Sequence, residues 1–167
     1  QNRVAITCFA TNVARVETVA RIAEQTGRRL CIVGRAMKTI TQAAQECGYL
    51  QNMPPLIDER EIGYLPRDEV MILATGSQGE PRAALARIER EEHSEISLEE
   101  GDSVIYSSRI IPGNEKAIHT VQNNLLHRGV EVLTEEDHFV NVSGHPCREE
   151  LEQMYAWVRP RIAIPMH

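Results

Sequence analysis

The sequence predicts an α/β fold, doubly wound, with a mainly parallel sheet and helices on both faces. Three features carry this. Short apolar runs alternate with segments whose apolar residues recur at helical spacing. Glycine or proline punctuates the junctions. Strands separated by single helices require right-handed crossovers, which lay successive strands parallel.

Residues 4–9 read as a buried strand. Thr11 and Asn12 are candidate caps for a helix with Val13, Val16, Ala20 and Ala23 on one face, ended by Gly27. Residues 30–33 form the second strand. Met37, Ile40 and Ala44 follow at helical spacing, and Gly48 stops that helix. Residues 49–68, with Pro54, Pro55, Gly63 and Pro66, read as a connecting loop. Residues 70–74 are the third strand. A helix over residues 81–90 opens on a proline, whose fixed φ and missing donor suit that place. Residues 89–102 hold seven acids and one arginine, the pattern of a solvated helix end and loop. Residues 104–106 are the fourth strand. Asn114 caps a helix bearing Ala117, Ile118, Val121 and Leu125, ended by Gly129, and residues 130–133 are the fifth strand. Residues 139–142 form a further apolar run. A helix over residues 148–158 places Leu151, Met154, Tyr155 and Val158 on one face, and residues 162–164 read as the last strand.

The 167 residues suit one domain and can bury a sizeable core without staples. Composition is ordinary, with 42% hydrophobic and 25% charged residues, which excludes disorder and a disulfide mini-protein. The net charge of −6 means that any contact with a polyanion is local. Aromatics at 4% argue against a stacking platform for single strands. No apolar run approaches the ~18 residues of a membrane span, and no signal peptide is legible. The chain starts at Gln1 without methionine and stops at His167, as an excised piece of a longer protein would. Cys8, Cys31, Cys47 and Cys147 have no paired spacing, and read as reduced, buried thiols of a cytoplasmic protein.

In such a sheet, ligands bind beyond the carboxyl ends of the strands. Thr11-Asn12, Gly34-Arg35, Thr75-Gly76-Ser77-Gln78-Gly79-Glu80, Ser107-Ser108 and Ser143-Gly144-His145 all follow strands or apolar runs, and the last strand leads to His167. Loop by loop, these residues serve equally as turns and caps. Jointly they admit an anion site as readily, since small residues at helix starts expose N–H groups. Walker, dinucleotide, nucleophile-elbow and His-Glu-x-x-His patterns are all missing. His93, His119, His127 and His138 read as surface residues.

Five segments then match one family in order: Phe9-Ala10-Thr11-Asn12; Val33-Gly34-Arg35-Ala36-Met37; residues 75–81; Ser107-Ser108 with residues 111–115; and residues 142–145 with Glu149-Glu150-Leu151, Arg159-Pro160 and Pro165-Met166-His167. Together they resemble ribonuclease J, of the β-CASP branch of the metallo-β-lactamase superfamily. The resemblance implies that residues 1–158 are the inserted β-CASP domain and that residues 159–167 begin the return into the metallo-β-lactamase domain. It implies hydrolysis of phosphodiester bonds in single-stranded RNA, both internally and 5′ to 3′, in RNA processing and decay.

It also implies roles. The metallo-β-lactamase domain of the same chain supplies a His-x-His-x-Asp-His motif for two zinc ions. His145 contacts the scissile phosphate and donates a proton, and His167 ligates zinc. Ser143 and Gly144 hold an RNA phosphate, and Ser77 lines the same cleft. Asn12 and Arg35 join the RNA contacts. Arg35 reads equally as a surface arginine at a helix start. Asn141 departs from the family, which usually has histidine there; asparagine donates a hydrogen bond but does not titrate. With His167 alone this piece is expected to hold no zinc pair, to be inactive by itself and to bind RNA weakly. Homo-oligomerisation of the whole protein is left open. Two rival readings stand: a superfamily hydrolase acting on DNA or another phosphodiester, and a non-catalytic nucleotide- or RNA-binding module.

Overall fold

The strands β1 (Val4–Thr7), β2 (Arg29–Val33), β3 (Val70–Ala74), β4 (Ser103–Tyr106) and β5 (Glu131–Leu133) form one parallel sheet in the order β2-β3-β1-β4-β5. The structure, a computed structural model, describes residues 2–142 and 144–164. The helices are α1 (Val13–Gln25), α2 (Arg35–Glu46), α3 (Ala84–Glu89), α4 (Glu115–His127) and α5 (Arg148–Val158).

Side chains alternate across the strands, so the sheet has two apolar faces. One carries Ile6, Cys8, Leu30, Ile32, Met71 and Leu73 against Val16, Val19 and Ala20 of α1 and Met37 and Ala44 of α2. The other carries Ala5, Cys31, Val33, Ile72, Ala74, Val104 and Tyr106 against Leu85 and Ile88 of α3 and Ile118 and Leu125 of α4. A fully buried aliphatic side chain in either layer contributes roughly 1.5–3 kcal/mol. The doubly wound expectation therefore holds, and the sheet is parallel throughout.

One connection differs from a simple crossover. Helix α2 lies on the α1 face, yet Ile62, which precedes β3, is buried in the opposite core. Between them the chain rounds the outer edge of β2, where the Ile57 N–H donates to the Leu30 carbonyl at 3.0 Å. The segment read as plain loop also contains two 3-10 turns, Glu59–Tyr64 and Arg67–Glu69. Asp58 and Glu61 close a capping box on the first.

Several local expectations are corrected. Residues 162–164, read as the last strand, are not one: Ile164 is 80% exposed, and the run joins no ladder, nor does the apolar run at 139–142, where Phe139 is 91% exposed. An apolar run needs a sheet neighbour to become a strand, and neither run pairs with β5 or any other strand. Helix α3 starts at Ala84 and not at Pro81, because residues 81–83 finish the preceding turn. Residues 89–102 are not merely solvated, since Ile96 and Leu98 are buried in the core and Asp102 is fully buried. Arg128, at the end of α4, holds that segment by donating to the Glu89 and Leu98 carbonyls at 2.7 Å each. Asp102 accepts the N–H groups of Arg3 and Glu99 and pairs with Arg67. Charge alternation hid the inward residues. Of the thiols, Cys8 and Cys31 are buried as expected, whereas Cys47 and Cys147 are exposed because they flank helices at the surface. All four are free.

Candidate functional site

The parallel register brings the carboxyl ends of the strands level: Thr7 lies beside Ala74 and Tyr106, and Val33 beside Ala74. The loops that leave them form a single rim. The 75–80 turn is fixed by glycine. At Gly79, φ is +71°, and an added Cβ would lie 2.5 Å from the Ala117 carbonyl carbon and 2.7 Å from the Ile118 nitrogen. Helix α4 thus packs backbone to backbone on this turn, which only glycine permits.

Gln78 joins the turn to the loop after β4. Its Nε2 donates to the Arg109 carbonyl at 2.8 Å, and its Oε1 accepts from the Ile111 N–H at 2.9 Å and Asn114 Nδ2 at 3.3 Å. This corrects the reading of Asn114, which begins α4 without a side-chain cap and points its amide at Gln78. The residue reading placed Gln78 in this turn but missed its bonding role. Its signal was a long polar side chain among the small residues of the turn. Ser77 beside it is buried and lines a small cavity of about 250 Å³ with Tyr106, Ser108 and His119.

On the other side of the rim, Arg15 reaches from the first turn of α1. Its Nη1 donates to Ser107 Oγ at 2.6 Å and to the Val140 carbonyl at 3.0 Å, and its Nη2 to Asn141 Oδ1 at 3.4 Å. Ser107 Oγ donates to the same Val140 carbonyl at 2.5 Å. Asn141 Nδ2 then donates to Glu135 at 3.2 Å. An amide suits this bridge, since it presents an acceptor to the cation and a donor to the carboxylate. Asn12 is the N-cap of α1, its Oδ1 accepting from the Arg15 N–H at 3.0 Å.

A cleft of about 1310 Å³, the main one of this rim, opens between the ends of β1, β2 and β3. Gly34, Thr75, Gly76 and Thr11 line it beside Arg35, Arg82, Arg87 and His93. Arg35 is exposed, one residue beyond Gly34, which begins α2 with no side-chain cap. His93 departs from the surface expectation. Its side chain is only 6% exposed, and Nε2 lies 3.3 Å from Glu59, which also pairs with Lys38. Burial holds the His93 imidazole below its ordinary range, partly offset by Glu59. Burial likewise pushes the Cys8 thiol at this cleft up to about 11, so it is no nucleophile at neutral pH.

The rim therefore collects the expected residues unevenly. Arg35 lines the main cleft, Ser77 the small cavity and Asn12 the start of α1. Gly144 and His145 are exposed, beyond the Val140–Asn141 stretch that Arg15 holds, and line neither cavity. Ser143 and His167 lie outside the described residues. Among the described residues no group of three or more His, Cys, Asp or Glu could hold a metal ion. They do not by themselves fit a zinc pair. No described helix is long and apolar enough to cross a membrane.

The chain resembles known proteins along its whole length. The family model described as "Ribonuclease J, beta-CASP domain" matches residues 1–125. The chain is 47% identical over 167 residues to ribonuclease J of Sinorhizobium meliloti, covering 100% of this chain and 30% of that protein. It is 42% identical over 168 residues to ribonuclease J of Mycolicibacterium smegmatis, with the same shares of each. Against ribonuclease J2 of Bacillus subtilis it is 36% identical over 168 residues, again covering 100% and 30%. The chain thus spans about 30% of the length of these curated relatives.

Proposed function

Because the chain belongs to the ribonuclease J family and matches its β-CASP domain, we propose that it forms the RNA-facing half of a zinc-dependent ribonuclease. The observation that carries this reading is the rim: small-residue loops, a cleft that presents Arg35 and Arg82, and the chain at Val140 meet at the carboxyl ends of one parallel sheet. A single-stranded RNA lies along this rim. Arg35 pairs with a backbone phosphate, where a guanidinium offers two parallel donors. Ser143 and Gly144 hold the phosphate next to the bond that breaks. His145 donates a proton to the leaving 3′-oxygen, the role of a general acid.

The two zinc ions of this reading are held outside the described residues, by His167 and by the metallo-β-lactamase domain. The whole protein cuts internally and degrades 5′ to 3′ in the cytoplasm. The metallo-β-lactamase domain is the partner of residues 148–164. In support, α5 has no buried residue, and Trp157, Val158, Ile162 and Ile164 are exposed. Arg159 ends α5 in the left-handed conformation, φ +45°, which supports a boundary at 158/159.

The test uses the full-length protein. Bound zinc is counted, and cleavage of 5′-monophosphorylated single-stranded RNA is compared with DNA of the same sequence, with and without chelator. Two zinc ions per chain and chelator-sensitive RNA cleavage are expected. His145→Ala should slow cleavage by about 10²–10⁴-fold with zinc retained, whereas His167→Ala should lose zinc and activity together. Equal cleavage of DNA would favour the broader phosphodiesterase reading. No zinc and no cleavage would leave a binding module.

A further inference from the structure

Val140 and Asn141 meet the rim at Arg15 and Ser107 without regular secondary structure of their own. An irregular segment holds a functional side chain in place only if something fixes its backbone. The residues that do so here come from two different elements of the sheet layer. Arg15 Nη1 and Ser107 Oγ both donate to the Val140 carbonyl, at 3.0 and 2.5 Å, and Arg15 Nη1 also donates to Ser107 Oγ at 2.6 Å. Ser107 is in turn pinned to the sheet, its N–H donating to the Thr7 carbonyl at 2.8 Å. Arg15 is pinned at the start of α1, where Asn12 caps its own N–H. The second nitrogen of Arg15 reaches Asn141, and Glu135 takes the far side of that amide. A carbonyl that accepts two side-chain donors, one of them charged, is fixed in both position and direction. Val140 lies five residues before His145.

We propose that Arg15 is a positioning residue: with Ser107 it clamps the Val140 carbonyl and so sets the course on which the chain leaves toward His145. This rests on the reading of His145 given above. Arg15 need not touch RNA. Its guanidinium is engaged by the protein itself, unlike that of Arg35, which has no ion-pair partner among the described residues. The clamp also explains why asparagine serves at position 141. The bridge asks for an acceptor toward Arg15 and a donor toward Glu135, and no titrating group.

The proposal is tested in the full-length protein by a double-mutant cycle on single-turnover cleavage of 5′-monophosphorylated RNA. Arg15→Ala is expected to lower kcat about 100-fold, the scale of a misplacement near 1 Å, with KM within about threefold of wild type. Zinc content should not change. In a His145→Ala background, Arg15→Ala should cost less than about twofold more, because residues that act as a unit are not additive. Arg15→Lys, a single flexible donor, should fall between wild type and Arg15→Ala. Ser107→Ala keeps the Arg15 contact to Val140 and serves if Arg15→Ala unfolds. It should lower kcat less, again with no further loss in the His145→Ala background. A kcat unchanged in both clamp variants would overturn the proposal. So would losses that add in full to that of His145→Ala, or that appear in KM alone, as for a phosphate contact. If His145→Ala by itself cleaves like wild type, the catalytic reading of His145 fails and the clamp falls with it, a result visible in that single variant.

Discussion

His93 shows how a single side chain escaped a reading based on its neighbours in sequence. It stands in an acidic stretch, yet its partner Glu59 lies 34 positions earlier, brought close only because the chain rounds the edge of β2. Its burial has a consequence for acid stability. The folded protein holds this imidazole below the ordinary value of 6.5, so at mildly acid pH the unfolded chain binds the proton more readily than the native one. Stability conferred by neutral His93 is therefore complete above pH 6.5 and is lost as pH falls from there toward the folded value. Urea midpoints measured at pH 7.5 and 5.5 should drop more in wild type than in His93→Gln; parallel drops would show that His93 is not buried in solution. Site residues were legible to the extent that their roles are local. Gly34, Gly76 and Ser77 could be placed on the rim because each directly follows a strand or its turn. Gln78 was placed there with its turn, but its bonding role was not legible, nor was that of Arg15, because their partners at 107–114 and 140–141 are distant in the chain and only the folded sheet brings them within reach.

At the scale of elements, the five strands and the helices α1, α2 and α4 follow from periodicity and glycine stops, since each buries a continuous apolar face in one of two layers. The runs at 139–142 and 162–164 carried the same local pattern but lack a neighbouring strand, and pattern alone does not supply one. Helix α5 is the reverse case. Its periodicity was correct, yet the face it predicts is open, with Leu151, Met154 and Tyr155 each roughly two-fifths exposed. Leu151→Lys should therefore shift the stability of this chain by less than about 0.5 kcal/mol, as for a surface substitution. In the full-length protein the same change should lower the thermal midpoint by several degrees, because the face is then covered. Equal midpoints there, measured by differential scanning calorimetry, would mean that nothing packs on α5.

For the molecule as a whole, charge is the informative quantity. A net charge of −6 is spread over a fold whose cationic side chains at the main cleft are few, and Lys38 among them is already paired with Glu59. Binding of single-stranded RNA to this chain alone should show a shallow dependence on salt, with a log–log slope no steeper than about −2, since each neutralised phosphate contributes roughly −0.7. A slope near −5, read by fluorescence anisotropy across a salt series, would reveal a basic track that the rim does not account for. The course of residues 49–57 around β2 has an effect of another kind. A parallel sheet has two free margins, and a bare margin is a template on which a second molecule can add a strand. Here one margin is occupied by the protein's own backbone through Ile57, in the segment that carries Pro54 and Pro55, and the other ends in a strand of only three residues. The fold thereby resists aggregation by edge-to-edge growth, and self-association, where it occurs, is left to the helical surfaces.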